Sequence, residues 1–217
     1  IESALAQSLL PAELLVVDDA SDDDTPEVAR SFADRGVDYL RVEHRNTHAT
    51  RMAGLAVTQS PFVCFLDADD RLPADYLAAG LPLFTDGVGI VTSDMQQFGT
   101  QTHRVTLDEG RWIDLERGNF AHAGSLTTRR ALVLSDVPTL QIPHNGSNDW
   151  IVWKQLARCG WKFAKSSALY RYRRHGDSQS HVWRSIRDEF YYINANLAGE
   201  TVTIFLPLSG RDRWWPR

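Results

Sequence analysis

Cysteine is nearly absent from this chain: Cys64 and Cys159 are the only two in 217 residues. Two thiols without metal-ligand spacing exclude a disulfide framework and a thiolate zinc site. Both lie among apolar neighbours and read as buried free thiols, which fits a reducing cytosol. Long apolar runs are missing too. None approaches the roughly 20 residues that a spanning helix needs, and no signal peptide is visible. The expected location is cytoplasmic, with peripheral attachment at the inner membrane face as the closest approach to a bilayer. Basic blocks are also lacking. With 23 Lys and Arg against 28 Asp and Glu, the formal net charge is −5, so no nucleic-acid partner is expected. There are no internal repeats and no low-complexity linker. The chain opens without a methionine, inside a stretch (Ile1 to Leu9) that reads as a helix. The expectation is therefore a piece of a longer protein.

Against these absences stands Phe62-Val-Cys-Phe-Leu-Asp-Ala-Asp-Asp70. A short apolar run that stops at acids reads as a buried strand opening into a polar crevice. Ligands of open α/β sheets bind at such carboxyl ends. Asp67 and Asp69 are one residue apart. On an extended backbone both carboxylates would point to one side, about 7 Å apart. Two hard oxygen donors so placed suit Mg²⁺ or Mn²⁺, which also take water and substrate phosphates. A cation there would let an acidic protein accept an anionic substrate.

The first seventy residues alternate. The pattern predicts a helix over 1–9, a strand over 13–17, a helix from Thr25-Pro26 to about 33, and a strand over 37–42. A helix over 50–57 and the Phe62 strand follow. Helix and strand in alternation predict an α/β fold, a mostly parallel sheet with helices on both faces. Two of its strands end in acid pairs, Asp18-Asp19 and Asp67 to Asp70. Further on, helices are predicted over 73–83, 127–134, 147–158 and 182–194. Strands are predicted over 88–92, 161–164, 168–172 and 201–206, with a hairpin over 95–107. Asp149 would fall in the first turn of the 147–158 helix, where the macrodipole favours a carboxylate. His44, His48, His122 and His144 have no ligand spacing and read as structural or solvated.

Taken together, five stretches resemble the family-2-type glycosyltransferases of the GT-A fold. They are Ser3 to Glu13, Val16-Val-Asp-Asp-Ala-Ser-Asp-Asp-Asp-Thr25, Asn46 to Gly54, Phe65 to Asp70 with its Asp-x-Asp, and Asn148-Asp-Trp to Trp161 continuing to Tyr170-Arg-Tyr-Arg-Arg-His175. Their order, over roughly residues 1–180, carries the resemblance. Departures are Thr47 for the usual Gly, Met52 for Asn and Asn148 for Glu.

The resemblance implies inverting sugar transfer from a nucleotide-diphosphate sugar to a glycan, lipid-linked or other acceptor hydroxyl. Asp19 would meet the nucleobase or ribose, with Asp18 supporting that loop, and Arg51 would lie near the nucleotide. Asp67 and Asp69 would face the ribose and a Mn²⁺ or Mg²⁺ ion, with Asp69 the surer ligand and His175 contacting the metal or diphosphate. Asp149 would be the general base. Trp150 would offer a ring face to the acceptor. Each has a plainer reading: Asp18 and Asp19 as turn residues, Asp149 as a dipole-matching helix start, His175 on the surface, Trp150 in the core. Two other classes fit parts of the pattern, an Asp-x-Asp phosphatase and a non-catalytic sugar-nucleotide or glycan-binding module.

The resemblance further implies a first strand before Ile1, lying between the Glu13 and Phe62 strands. Residues 1–198 would form the GT-A domain without it. The tail 199–217, with Thr201-Val-Thr-Ile-Phe-Leu-Pro207, resembles that strand. It would open a second such domain in a parent chain, or fold back or swap to fill the slot.

Overall fold

A computed structural model of the chain describes residues 1–107, 115, 119–142, 148–175, 190–197 and 200–207, the last two segments as backbone. It separates into two compact units, Ile1–Phe98 with Thr102–Arg173, and Gly99–Gln101 with Arg174–Arg217.

In the first unit, α1 (Glu2–Leu5) is a single turn, shorter than the apolar spacing of Ile1, Leu5 and Leu9 predicts. β1 (Leu14–Asp19), α2 (Thr25–Arg30), β2 (Val37–Val42) and α3 (Thr47–Val57) follow in the expected order. β1 and β2 pair in parallel, Leu14 opposite Val37 through Asp19 opposite Val42. α3 starts three residues earlier than expected, because the Asn46 side chain accepts the backbone N–H of Ala49 and caps it. Gly54 lets α3 lie close on β1: a Cβ there would meet Val17 at 2.9 Å.

The rest of the unit is built on β3 (Phe62–Cys64), β4 (Val88–Gly99), β5 (Arg104–Val105), β6 (Leu126–Thr128) and β7 (Lys162–Arg174). β6 was not foreseen. The sequence pattern runs 127–134 as one helix, whereas Leu126–Thr128 forms a strand and α5 (Arg129–Leu134) begins after it, capped by Thr128. β6 sits between β3 and β4 and runs antiparallel to both, so β3 and β4 are parallel to each other. β4 and β5 form the predicted hairpin, with Met95 opposite Val105. β7 is one long strand where two short ones were predicted, and it pairs with β4.

Consecutive residues of β4 face opposite ways, as a pleated strand requires. Ile90 joins a core with Leu132 of α5 and with Val152, Trp153 and Leu156 of α6 (Asn148–Arg158). Val91 joins another with Leu126, Tyr170 and Tyr76 of α4 (Tyr76–Gly80). Helices therefore cover both faces, as expected.

Among the described residues β1 pairs only with β2, and β3 only with β6. In the second unit β9 (Glu200–Pro207) pairs antiparallel with β8 (Phe190–Leu197), Tyr191 opposite Leu206. The helix expected to reach Asn194 is thus a strand from Phe190 on; its earlier part lies outside the described residues. Two strands only two residues apart in sequence pair at small loop-closure cost. Nor are both cysteines buried. Cys64 is half-buried beneath the Gly124 carbonyl, but Cys159, past the end of α6, is exposed.

Candidate functional site

The site is organised by α3, which links the acids at the end of β1 to those after β3. Asp18 is buried, its side chain 0% exposed. It accepts from Ser21 N–H (2.8 Å), Tyr39 O–H (2.6 Å) and Arg41 Nη1 (2.8 Å). Burial pushes its carboxyl up, and these bonds overcome that and hold it at about 2. Asp19 accepts from the N–H groups of His44, Arg45 and Asn46 and from the Thr50 hydroxyl. Burial again pushes up, and the four donors bring it below the usual carboxylate range. Four donors match the roughly four acceptor sites of a carboxylate. Both acids are therefore committed to the chain itself: Asp18 braces the β1 loop, and Asp19 anchors the start of α3.

One turn along that helix, Arg51 Nη2 donates to Asp67 Oδ1 at 2.6 Å. The strand before Asp67 is shorter than the sequence pattern implies. β3 ends at Cys64, and Asp67 to Asp70 form a turn closed by Asp70 N–H to Asp67 C=O at 3.1 Å. The extended geometry expected for Asp67 and Asp69 is thus replaced by a turn, because the neighbouring ladder to β6 ends with Cys64 opposite Leu126. Asp67 and Asp69 remain half-exposed, while Asp70 is buried. Asp70 accepts from Tyr170 O–H (2.8 Å) and Arg173 N–H (2.7 Å). Burial dominates and lifts its carboxyl to about 7 despite those bonds.

Asp149 lies in the first turn of α6, as expected. Its Oδ2 accepts from Asn119 Nδ2 at 2.8 Å. The helix start was expected to keep this carboxyl acidic. Burial instead pushes it up, with the Arg51 guanidinium pulling it down and the Asp67 carboxylate adding to the rise. Arg51, Asp67 and Asp149 therefore act on one another electrostatically, although they come from α3, a turn and α6. Trp150 is half-buried against the core. Its indole N–H donates to Leu115 C=O, and the Lys154 ammonium lies 5.4 Å from its ring centroid. His175 belongs to the second compact unit. His48 and His122 are buried, as structural histidines are expected to be, and His144 lies outside the described residues.

Among the described residues, no three His, Cys, Asp or Glu side chains group into a metal-binding set. Two half-exposed carboxylates on one turn fit a Mg²⁺ or Mn²⁺ that arrives with substrate phosphates, since such ions keep several waters and take few protein ligands. They do not fit a closed structural site.

Asn119 and Tyr170 are the residues that the sequence did not yield. No spacing links Asn119 to Asp149, and Tyr170 stands a hundred positions from the acid it serves. The only hint was a tyrosine within the Tyr-Arg stretch of the resemblance.

The fold is α/β with strands that deliver acids to one region, and its relatives agree. Residues 1–135 match the Glycosyl transferase family 2, and the chain belongs to that family. It is 28% identical over 204 residues to the succinoglycan biosynthesis protein ExoO of Rhizobium meliloti, covering 85% of this chain and 58% of that protein. It is 34% identical over 91 residues to the dolichyl-phosphate hexose transferase of Haloferax volcanii, covering 42% and 38% respectively. The chain thus spans about half the length of these relatives or less. Among solved structures, residues 1–349 of S. aureus TarS in complex with UDP-GlcNAc align with TM-score 0.68 at 15% identity, over 82% of this chain and 55% of that one. The fold is GT-A, and family membership displaces the phosphatase reading. No helix among the described residues is long and apolar enough to cross a membrane.

Proposed function

We propose that the chain transfers a sugar from a nucleotide-diphosphate donor to an acceptor hydroxyl, with inversion and with a divalent cation bound. The observation that carries the reading is the electrostatic grouping of Arg51, Asp67 and Asp149 beside the Asp67–Asp70 turn. Burial raises the Asp149 carboxyl, which makes it a stronger base once ionised and suits it to take the proton of the attacking hydroxyl. The acceptor oxygen bonds to the anomeric carbon as the carbon–phosphate oxygen bond breaks. The nucleoside diphosphate leaves, and the proton ends on Asp149. A single displacement of this kind inverts the anomeric centre. Arg51 holds Asp67 in place and supplies positive charge near the nucleotide. Asp19 and Asp18 shape the loop that receives the base and ribose. Trp150 contributes one side of the acceptor region.

Asp69, with Asp67, would hold Mn²⁺ or Mg²⁺. Bound there, the ion would neutralise charge developing on the departing diphosphate. The donor class follows the UDP-GlcNAc of the TarS structure, and the acceptor is a glycan or a lipid-linked hydroxyl.

The experiment is titration of the chain with UDP and other nucleoside diphosphates, with and without Mn²⁺, followed by NMR of the product formed from a UDP-sugar. Metal-dependent binding and a product of inverted anomeric configuration are expected. Binding without turnover would leave a binding module, and retained configuration would remove the single displacement.

A further inference from the structure

Of the three acids in the Asp67–Asp70 turn, Asp70 alone turns inward, 6% exposed. It meets β7, which holds the turn at five points. Tyr170 O–H and Arg173 N–H donate to the two oxygens of Asp70, and Arg173 Nε donates to the Asp69 carbonyl at 2.8 Å. Arg71 and Arg171 exchange both backbone N–H to C=O bonds, at 3.0 and 3.1 Å. The two backbone bonds fix where the turn ends. The three side-chain bonds fix its orientation, because they grip Asp69 and Asp70 from one side.

Tyr170 is itself held. Its ring stacks on His122, with centroids 4.1 Å apart and planes 19° apart. His122 Nε2 lies 3.2 Å from the Ser93 hydroxyl. Tyr76 packs 5.9 Å from Tyr170 and donates to the Gly124 carbonyl. Gly124 is glycine because any Cβ there would sit 2.3 Å from the Tyr170 ring. A buried phenol fixed on several sides can place a hydrogen bond accurately. The turn it serves carries the two acids proposed to face the metal-bound diphosphate.

We infer that Asp70 and Tyr170 are positioning residues of the donor site, pinning the turn to β7 so that Asp67 and Asp69 stay on its accessible side. This rests on the donor-site reading above, and the test separates the two. Tyr170→Phe removes one hydroxyl and keeps the ring; Asp70→Asn keeps the side-chain shape. In each variant of the chain two quantities are read: backbone hydrogen exchange over residues 67–71, and UDP affinity with and without Mn²⁺.

In Tyr170→Phe, exchange over 67–71 is expected to speed up while β1 and β2 keep their protection. The gain in UDP affinity from Mn²⁺ is expected to fall about tenfold, the scale of one hydrogen bond to a charged group, with metal-free affinity unchanged. Unchanged exchange at the turn in Tyr170→Phe overturns the proposal. So does an equal loss of metal-free and metal-dependent affinity, which is what a general loosening of the fold gives. If the unaltered chain gains nothing from Mn²⁺, the donor-site reading fails, and the exchange result still decides whether Tyr170 and Asp70 pin the turn. Should Asp70→Asn not fold, Tyr170→Phe alone decides.

Discussion

Arg51 Nη2 and Asp67 Oδ1 lie 2.6 Å apart, joining the middle of α3 to the acidic turn after β3. The arginine side chain is 15% exposed and the aspartate 40%. An ion pair with one exposed partner is worth little as stabilisation. Its weight lies in where it puts charge, since the same guanidinium pulls down the Asp149 carboxyl against burial.

Arg51→Met is therefore expected to raise the Asp149 carboxyl further. The base must be ionised to act, so the acid limb of the kcat/KM profile should move to higher pH, and activity at a fixed pH on that limb should drop. A pH–rate profile of the variant beside the unaltered protein checks this. An acid limb that stays in place would detach Arg51 from Asp149.

Asp149→Asn should keep nucleoside-diphosphate binding and lower transfer by at least about a hundredfold, the lower range for loss of a general base. Binding and turnover are measured on the same preparation. Near-normal turnover would assign the proton transfer to another group.

Asp69→Ala should abolish the Mn²⁺-dependent part of nucleoside-diphosphate binding and leave circular dichroism unchanged. Asp69 is half-exposed on a turn that β7 also holds through backbone bonds, which should keep the turn folded in this variant. Persistence of the metal effect in this variant would move the cation elsewhere.

The front of the site was legible because its signals are local. The acid pairs at strand ends each occupy a few consecutive residues. What stayed hidden depends on contacts far apart in sequence. β6 is three residues of Leu-Thr-Thr whose pairing is decided by β3 and β4 on either side. The Tyr170 to Asp70 bond spans a hundred positions. The upward push on the Asp149 carboxyl was not legible, because the macrodipole is visible in a helix start, whereas desolvation by neighbouring elements is not. Asp18 and Asp19 show the converse: the motif was plain, but the bonds that commit both carboxylates to the chain appear only once β2 and α3 are in place.

Asp18 gives a stability prediction with a definite sign. Its folded carboxyl sits at about 2, below the unfolded value near 3.8. A depressed carboxyl contributes stability that is full above the unfolded value and is lost as pH falls through the folded one. The shift corresponds to roughly 2 kcal/mol. Asp18→Asn should thus be less stable than the unaltered protein at neutral pH by an amount of that order, with the gap closing between about pH 4 and about pH 2. Urea unfolding across this range measures it. A gap that does not change with pH would mean that the loss comes from the geometry of the Ser21, Tyr39 and Arg41 bonds and not from the carboxylate's charge.

Gly124→Ala tests the support beneath the turn. The new methyl would meet Tyr170 at 2.3 Å from one ring carbon and 2.7 Å from the hydroxyl oxygen. Tyr170 is 1% exposed and stacked on His122, so it has little room to retreat. Overpacking of this kind costs about 1–3 kcal/mol, and the melting temperature should fall accordingly. The displacement also has a direction. The ring must move away from Gly124, which disturbs the Tyr170 hydroxyl's bond to Asp70. Gly124→Ala should therefore reproduce the Tyr170→Phe effect on the Mn²⁺-dependent gain in UDP affinity, although residue 124 does not touch the turn. Combining the two substitutions should weaken that gain no more than Tyr170→Phe alone, because the hydroxyl through which Gly124 acts is already gone. A double variant with additive losses would show that Gly124 reaches the donor site by another route.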